Sequence, residues 1–195
     1  METIVWDIDD VLNDLMKNWF ELKWLPEHPS CSVRYETLTQ NPPHELLEVS
    51  LEVYQQSLDA FRASREGRSL QPVVEVINWF HHYGQRYRHM ALTATPIRCA
   101  PYSAEWVLGH FGTWIRSFAF VPSKRAHDPD FGYDDRKSDY LAWFGKADIL
   151  IDDNPSNTAH AERLGIRTFL VPRPWNQAKG SLADILNTIS GSPST

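Results

Sequence analysis

From residue 88 onward, short apolar runs alternate with longer segments whose apolar residues recur at helical spacing. The apolar runs are residues 88–93, 115–121, 148–151 and 167–171, and a further run at 4–6 opens the chain. Strands that alternate with helices are typical of βαβ units, in which neighbouring strands are parallel. The sequence therefore predicts an α/β fold built on a doubly wound, Rossmann-like sheet of five parallel strands.

The interval between the first two predicted strands is too long for a single crossover. About eighty residues separate them, and much of this interval has helical periodicity. The predicted helices within it are residues 12–25, 43–63 and 70–83. Pro26 and Pro29 are expected to end the first of them. We predict a helical cap, residues 14–71, inserted into a core domain of residues 1–13 and 72–195.

Composition limits the classes of partner. The chain of 195 residues has a formal net charge of −6 and no basic stripe, which argues against a nucleic-acid polymer. Cys31 and Cys99 form neither a metal-ligand pair nor a disulfide framework, so a reducing cytosol is the simpler assumption. No apolar run reaches membrane-spanning length, and the first strand begins without a signal peptide. We expect a cytoplasmic protein that binds a small molecule and no membrane.

Three carboxylates, Asp7, Asp9 and Asp10, directly follow the first predicted strand. Because Asp7 and Asp9 are two residues apart, their side chains leave an extended backbone on the same face. Carboxylates this close repel one another unless a cation or a proton neutralises them. A charged loop after a strand is the structural alternative, and the other strand ends decide between the two interpretations.

Polar residues also close two other predicted strands. Residues 93–96, Thr-Ala-Thr-Pro, follow the second strand, and residues 152–155, Asp-Asp-Asn-Pro, follow the fourth. Lys137 begins the helix that leads into the fourth strand. Asp and Asn also cap helices, and a lone Thr or Lys is commonly structural or solvated. However, a doubly wound sheet binds ligands at the carboxyl ends of its strands, so these clusters predict one site.

In this order, the polar clusters resemble the four motifs of the haloacid-dehalogenase superfamily of phosphatases. The first motif, D-x-D-x-[TV]-[LV] after an apolar strand, is matched at every specified position by residues 7–12. The second, a Thr or Ser that closes a strand, is matched by Thr93, and the third, a lone Lys, by Lys137. The fourth, an acidic pair, is matched by Asp152 and Asp153. The resemblance covers nearly the whole predicted core, and the insert is similar to that family's cap.

The resemblance implies a Mg²⁺-dependent phosphohydrolase in which Asp7 is the nucleophile and forms an aspartyl-phosphate. Asp9 would protonate the leaving alcohol and then deprotonate the attacking water. The implied metal ligands are Asp7, the backbone carbonyl of Asp9, and Asp153, with Asp152 as a ligand or in support. Asp10, at an unspecified position of the motif, is predicted to be a surface or helix-start residue.

Thr93 and Lys137 are the implied phosphate-binding residues. Lys124 is an alternative to Lys137, because it lies just after the third predicted strand. The nearest resemblance within the superfamily is to the small 5'(3')-deoxyribonucleotidases, through residues 93–97 and 151–155. Their second motif aligns with an offset of one residue. This offset makes Thr95 a candidate phosphate ligand, either instead of Thr93 or beside it. The expected substrate is a small phosphate monoester: a deoxynucleoside monophosphate, or alternatively a sugar phosphate.

Aromatic residues of the insert have helical spacing, which favours a core role over a base-stacking pocket. These residues are Trp19, Phe20, Trp24, Tyr35, Tyr54 and Phe61. At most one or two of them are expected to face the cleft. Trp175 and Asn176, after the fifth strand, are predicted to contact substrate.

Two functions of other classes use similar residues. A phospho-acceptor receiver domain also places acidic residues, a Thr and a Lys around Mg²⁺, but its acceptor lies on an internal strand and no large insert follows its first strand. A catalytically inactive binding or regulatory protein on the same fold is the other alternative. The complete set of motifs favours the enzyme.

Overall fold

The computed structural model describes residues 1–126, 128–129 and 132–191. Its central sheet has five parallel strands in the order β3-β2-β1-β4-β5. The strands are β1 (Thr3–Trp6), β2 (Arg88–Thr95), β3 (Ile115–Pro122), β4 (Ile149–Asp152) and β5 (Arg167–Leu170). The predicted α/β class and the doubly wound parallel sheet are therefore confirmed.

Helices occupy the insert and both faces of the sheet. They are α1 (Leu15–Trp19), α2 (Leu25–Glu27), α3 (Leu51–Ala63), α4 (Arg65–Arg68), α5 (Val74–Tyr83), α6 (Ala100–Phe111), α7 (Lys137–Phe144), α8 (Pro155–Glu162) and α9 (Leu182–Gly191). Within the described residues, none of the helices is both long enough and apolar enough to cross a membrane.

The strand β1 lies at the centre of the sheet, and all four of its residues are buried. Successive side chains point to opposite faces, as the pleat of a strand requires. Ile4 and Trp6 pack in the hydrophobic cluster that includes residues of α5, α6 and α9, whereas Val5 packs in the cluster that includes residues of α7 and α8. Burial on both faces explains why this strand is an unbroken apolar run.

The strand order reverses between β1 and β4. The chain goes from β1 outward to β2 and β3, then returns to the other side of β1 for β4 and β5. Trp6 pairs with Ala91 of β2 and with Ile151 of β4, and the amide of Asp7 donates a hydrogen bond of 2.9 Å to the Ile151 carbonyl. The carboxyl ends of these three strands meet at the edge where doubly wound folds bind ligands.

The insert has a hydrophobic cluster of its own, separate from the two clusters on the sheet. Its buried members are Leu15, Met16, Trp19, Phe20, Trp24, Leu38, Leu47, Tyr54, Leu58, Phe61 and Leu70. They include all the aromatic residues expected to form a core except Tyr35, which is partly buried and packs against the cluster. The division of the chain into a cap at 14–71 and a core domain stays a prediction, which this cluster supports.

One helix boundary within the insert agrees with the sequence prediction and another differs. The helical run that begins at Leu15 ends at Glu27, between Pro26 and Pro29, as predicted. A π-helical segment, Phe20–Trp24, joins α1 to α2. The second helix begins at Leu51 and not near residue 43, because Ser50 caps it by accepting a 3.2 Å hydrogen bond from the Val53 amide.

Candidate active site

The polar residues that close β1, β2 and β4 surround one cavity of about 260 Å³. Its acidic and basic lining residues within the described chain are Asp7, Asp9, Asp10, Arg62, Arg125, Lys137 and Asp153. Most of these come from the strand ends, while Arg62 comes from α3 of the insert. The parallel sheet and the insert therefore form the two sides of the cavity.

Lys137 is held between two carboxylates. It is the first residue of α7, and only 2% of its surface is exposed. Its Nζ atom lies 2.7 Å from Asp7 Oδ1 and 2.7 Å from Asp152 Oδ2. Lys124, the alternative from the sequence, has 44% of its side chain exposed and pairs with Asp135. Of the two lysines, Lys137 is the one beside Asp7.

Asp152 is the most heavily hydrogen-bonded carboxylate of the site. It is fully buried, and its oxygens accept hydrogen bonds from the Asn154 amide and from the Asn157 side chain as well as from Lys137. A carboxylate with these donors holds the lysine in place. Helix capping, the structural alternative for this segment, is carried out by Asn154, whose side chain accepts from the Ser156 amide.

Asp153 lines the cavity, and a tryptophan from beyond β5 fixes its orientation. Trp175 Nε1 donates to Asp153 Oδ2 at 2.8 Å, and Asn176 Nδ2 donates to the Asp153 carbonyl at 2.8 Å. Neither Trp175 nor Asn176 lines the cavity. The expectation that this pair contacts substrate is therefore corrected: within the described structure the pair positions Asp153.

The charges at this end of the cavity are unbalanced. Burial raises the pKa of Asp7 well above its usual range, and Asp152 and Asp153 raise it further against the opposing effect of Lys137. Burial and the adjacent Asp152 raise the pKa of Asp153 to about 8. Burial alone would lower the pKa of Lys137, but Asp152 and Asp7 outweigh it and raise that pKa. When all four groups are ionised, three carboxylates face one ammonium group, which leaves two negative charges uncompensated.

These carboxylates fit a divalent cation. Asp7, Asp152 and Asp153 each offer an oxygen atom, and the three atoms lie within 4.8 Å of one another. Oxygen donors with a surplus of two negative charges suit a hard cation such as Mg²⁺. The carboxylate of Asp9 is outside this group, so the sequence-based assignment of Asp9 as a ligand concerns its backbone carbonyl alone.

Asp9 is engaged by the insert. Its Oδ2 atom accepts hydrogen bonds from Arg62 Nη2 at 2.9 Å and Nε at 3.3 Å, and 18% of its side chain is exposed. Asn13 Nδ2 lies 3.4 Å from the other carboxylate oxygen. Sequence reasoning missed Arg62, because it lies in a helical segment that contains no motif.

Asp10 was predicted to be a surface or helix-start residue, and the surface alternative is wrong, although Asp10 does bind the first turn of α1. Only 3% of Asp10 is exposed, and its side chain accepts a 3.0 Å hydrogen bond from the Met16 amide. Its backbone has a φ of 62°, which turns the chain sharply after β1. Arg173 Nε holds the Asp10 carbonyl at 2.7 Å. Burial raises the pKa of Asp10 to about 8, although Arg173 opposes the shift.

The two candidate threonines are not equivalent. Both are buried, with 1% of Thr93 and none of Thr95 exposed. Thr93 lines the cavity and Thr95 does not. The hydroxyl of Thr95 has no hydrogen-bond partner in the described structure. The geometry therefore makes Thr93 available to a ligand.

Comparisons with known proteins show which fold the chain has. No protein-family model and no curated protein matches the sequence. Among solved structures, it is similar to a haloacid dehalogenase-like family hydrolase from Streptococcus pneumoniae, with a TM-score of 0.59, 16% identity and coverage of 96% of this chain and 90% of that one.

Two other solved structures are similar over nearly the full length of both chains. A candidate phosphoglycolate phosphatase from Lactobacillus delbrueckii subsp. bulgaricus has a TM-score of 0.58 and 10% identity, with 98% of this chain and 99% of that one covered. A candidate β-phosphoglucomutase from Thermotoga maritima has a TM-score of 0.53 and 18% identity, with 97% and 99% covered. The fold that places these residues around one cavity is the fold of haloacid dehalogenase-like hydrolases.

Proposed function

We propose that the protein is a Mg²⁺-dependent phosphohydrolase that cleaves a small phosphate monoester through an aspartyl-phosphate on Asp7. The observation that carries this proposal is the contact between Asp7 and Lys137, 2.7 Å apart at the wall of a cavity that Asp153 and Thr93 also line. A nucleophilic carboxylate beside a buried cation is the arrangement that attack on a phosphate anion requires.

Each residue has a distinct part in the proposed reaction. Asp7 attacks phosphorus, and the ester oxygen leaves with a proton from Asp9. In the second step Asp9 takes a proton from water, which attacks the aspartyl-phosphate and releases inorganic phosphate and Asp7. Lys137 and Thr93 bind the phosphoryl oxygens and hold them in line with Asp7.

Asp7, Asp153 and the supporting Asp152 would hold the metal ion, together with the backbone carbonyl of Asp9. Bound there, Mg²⁺ supplies positive charge that lets an anionic nucleophile meet an anionic ester. The donor set supports this assignment, because it consists of oxygen atoms only and carries a surplus negative charge.

The size of the cavity bears on the substrate. Its volume of about 260 Å³ is below the range of roughly 300–1,000 Å³ that is usual for ligand sites. Tyr54 is the only aromatic residue that lines it within the described chain, and only 4% of this residue is exposed. These observations favour a compact phosphate ester over a stacked nucleobase. The deoxynucleoside monophosphate inferred from the sequence stays a prediction, as does the cytoplasmic location.

The proposal is tested by hydrolysis of p-nitrophenyl phosphate. We expect turnover with Mg²⁺, loss of turnover in EDTA, and recovery when Mg²⁺ is returned. Replacing Asp7 with Asn should lower kcat by at least about 10³-fold, because the nucleophile is removed. Asp14→Asn is the matched control, since Asp14 pairs with Arg173 and does not line the cavity. Full turnover in Asp7→Asn, or in EDTA, would contradict the proposal.

A further inference from the structure

The insert side of the cavity contains an ion-pair network of which the proposed reaction uses only Asp9. Arg62 bridges Asp9 and Asp59, with Nη2 at 2.9 Å from Asp9 and Nη1 at 3.2 Å from Asp59. Arg125 binds both oxygens of Asp59 at 2.7 Å, and Arg98 binds Asp59 at 2.8 Å. Asp59 and Arg62 lie on α3, whereas Arg98 and Arg125 lie outside the insert.

This network carries a surplus of positive charge. Three guanidinium groups face the two carboxylates of Asp9 and Asp59, so one positive charge is uncompensated within the network. Arg98 has 58% of its side chain exposed, so solvent screens its charge. Arg62 and Arg125 are only 13% and 11% exposed, and of the network only these two cations and Asp9 line the cavity. The cavity is thus bipolar, with surplus negative charge around Asp7 and surplus positive charge beside α3.

Arg62 has donors left to bind a ligand. A guanidinium group has five N–H donors, and the contacts of Arg62 within the described chain engage three of its nitrogens once each. Two N–H groups therefore remain, on a side chain that lines the cavity. Arg125 has fewer to offer, because Asp59 and the Ser123 and Lys124 oxygens take most of its donors.

We propose that Arg62 binds a second anionic group on the leaving part of the substrate, so that the substrate is a phosphate ester of a small hydroxy acid or of another anionic alcohol. This inference rests on the proposed function and specifies its substrate class. The phosphoryl group occupies the end of the cavity at Asp7 and Lys137, and the second anion meets the free N–H groups of Arg62.

The position of Arg62 sets the spacing between the two groups. Asp9 must hydrogen-bond the ester oxygen to protonate it, and Arg62 hydrogen-bonds Asp9 in turn. Two successive hydrogen bonds place Arg62 about 5–6 Å from the ester oxygen. A carboxylate bound to Arg62 then lies within one or two carbons of the carbon that bears the phosphate. A neutral nucleoside as leaving group supplies no such anion.

The experiment compares two esters that differ in one group. 2-Phosphoglycerate carries a carboxylate next to its ester carbon, and glycerol 2-phosphate has a hydroxymethyl group in that place. We expect the wild-type enzyme, with Mg²⁺, to show a kcat/KM at least about tenfold higher for 2-phosphoglycerate, the effect of one charge-assisted contact. In Arg62→Gln this ratio should fall to about one. The substitution also removes the hydrogen bonds that Arg62 donates to Asp9, but this slows the hydrolysis of both esters and so cancels in the ratio.

Arg98→Gln is the matched control. Arg98 binds the same Asp59 but has 58% of its side chain exposed and does not line the cavity, so this variant should keep the wild-type ratio. A wild-type ratio of one or below overturns the inference, and so does a ratio that Arg62→Gln leaves unchanged, or hydrolysis of p-nitrophenyl phosphate with neither ester accepted. If Arg62→Gln does not fold, Arg62→Lys takes its place: it keeps the charge but loses the forked N–H donors, so the ratio should still fall. Inactivity towards all three esters instead overturns the proposed function.

Discussion

Thr93 and Thr95 lie two residues apart near the end of β2, yet the surroundings of their hydroxyl groups differ. Thr93 lines the cavity, whereas the Thr95 hydroxyl is buried without a hydrogen-bond partner. The sequence motif could not separate them, because both close the same apolar strand. A buried hydroxyl without a partner costs free energy that an isosteric methyl group does not.

Replacing each threonine with valine separates the two roles. Thr93→Val should lower kcat/KM for p-nitrophenyl phosphate by about tenfold or more, because a hydroxyl that binds a phosphoryl oxygen is lost. Thr95→Val should leave kcat/KM unchanged and leave the free energy of unfolding unchanged or raised. Steady-state kinetics and urea denaturation measure these effects. If Thr95→Val were the slower enzyme, Thr95 and not Thr93 would be the phosphate ligand.

At the scale of residues, sequence reasoning found the groups that follow strands and missed those that support them. Asp7 and Asp153 could be predicted to meet, because parallel strands bring their carboxyl ends to one edge. Lys137 begins a helix, and the sequence singled it out only through the resemblance to the third motif. Asp10 was misplaced, since its burial depends on a turn with positive φ and on the Met16 amide. Arg62 gave no signal, because its partner Asp9 is 53 residues away in sequence.

At the scale of elements, β1 and β2 are joined by a buried contact that carries no catalytic group. Trp6 Nε1 of β1 donates to His89 Nδ1 of β2 at 3.0 Å, and the other ring nitrogen of His89 lies 2.8 Å from the Gly84 carbonyl. Because Nδ1 accepts, Nε2 carries the proton, and the imidazole is neutral. Burial lowers the pKa of His89 to about 4, although the bond to Gly84 opposes the shift.

This histidine makes stability depend on pH. Its pKa is about 4 in the folded protein and 6.5 in the unfolded chain, so the unfolded state binds more protons between these values. The contribution is fully present above pH 6.5 and is lost as the pH falls towards 4, for a total of about 3 kcal/mol.

Urea denaturation between pH 7 and pH 4.5 tests this dependence. His89→Gln should flatten the decline of the unfolding free energy, whereas His81→Gln, at an exposed histidine on α5, should leave the decline as in the wild type. Equal slopes in all three proteins would show that His89 does not titrate as the structure implies.

Most elements of the sheet could be predicted from the sequence, and the insert could not be predicted as closely. Strands such as β1 are buried on both faces and appear as continuous apolar runs. In the insert, apolar residues recur at helical spacing over the whole of 43–63, although α3 begins only at Leu51. The helix starts there because Ser50 caps it, and a cap does not change the spacing of apolar residues. By contrast, the end of the first helix could be predicted, because the prolines at 26 and 29 do not allow the helix to continue past them.

At the scale of the whole molecule, the strand order and the insert together create a bipolar cavity. The reversal between β1 and β4 gathers the carboxylates around Lys137, and α3 brings Arg62 to Asp9. Asp59 of α3 also binds Arg98 and Arg125 from outside the insert. The same ion pairs that attach α3 therefore place positive charge beside the proposed acid–base residue.

The central claim is that Asp7 carries the phosphoryl group during turnover, and covalent trapping tests it most directly. A single turnover of ³²P-labelled ester with Mg²⁺ is quenched in acid, which preserves an acyl phosphate, and the labelled peptide is mapped. With p-nitrophenyl phosphate as the ester, whose leaving group departs without a proton, Asp9→Asn should raise the trapped amount, because breakdown of the intermediate needs Asp9 as base. We predict label on the peptide that contains Asp7, released by hydroxylamine and absent in Asp7→Asn. Turnover with the label on another residue, or with none on the protein in either the wild type or Asp9→Asn, would contradict the account.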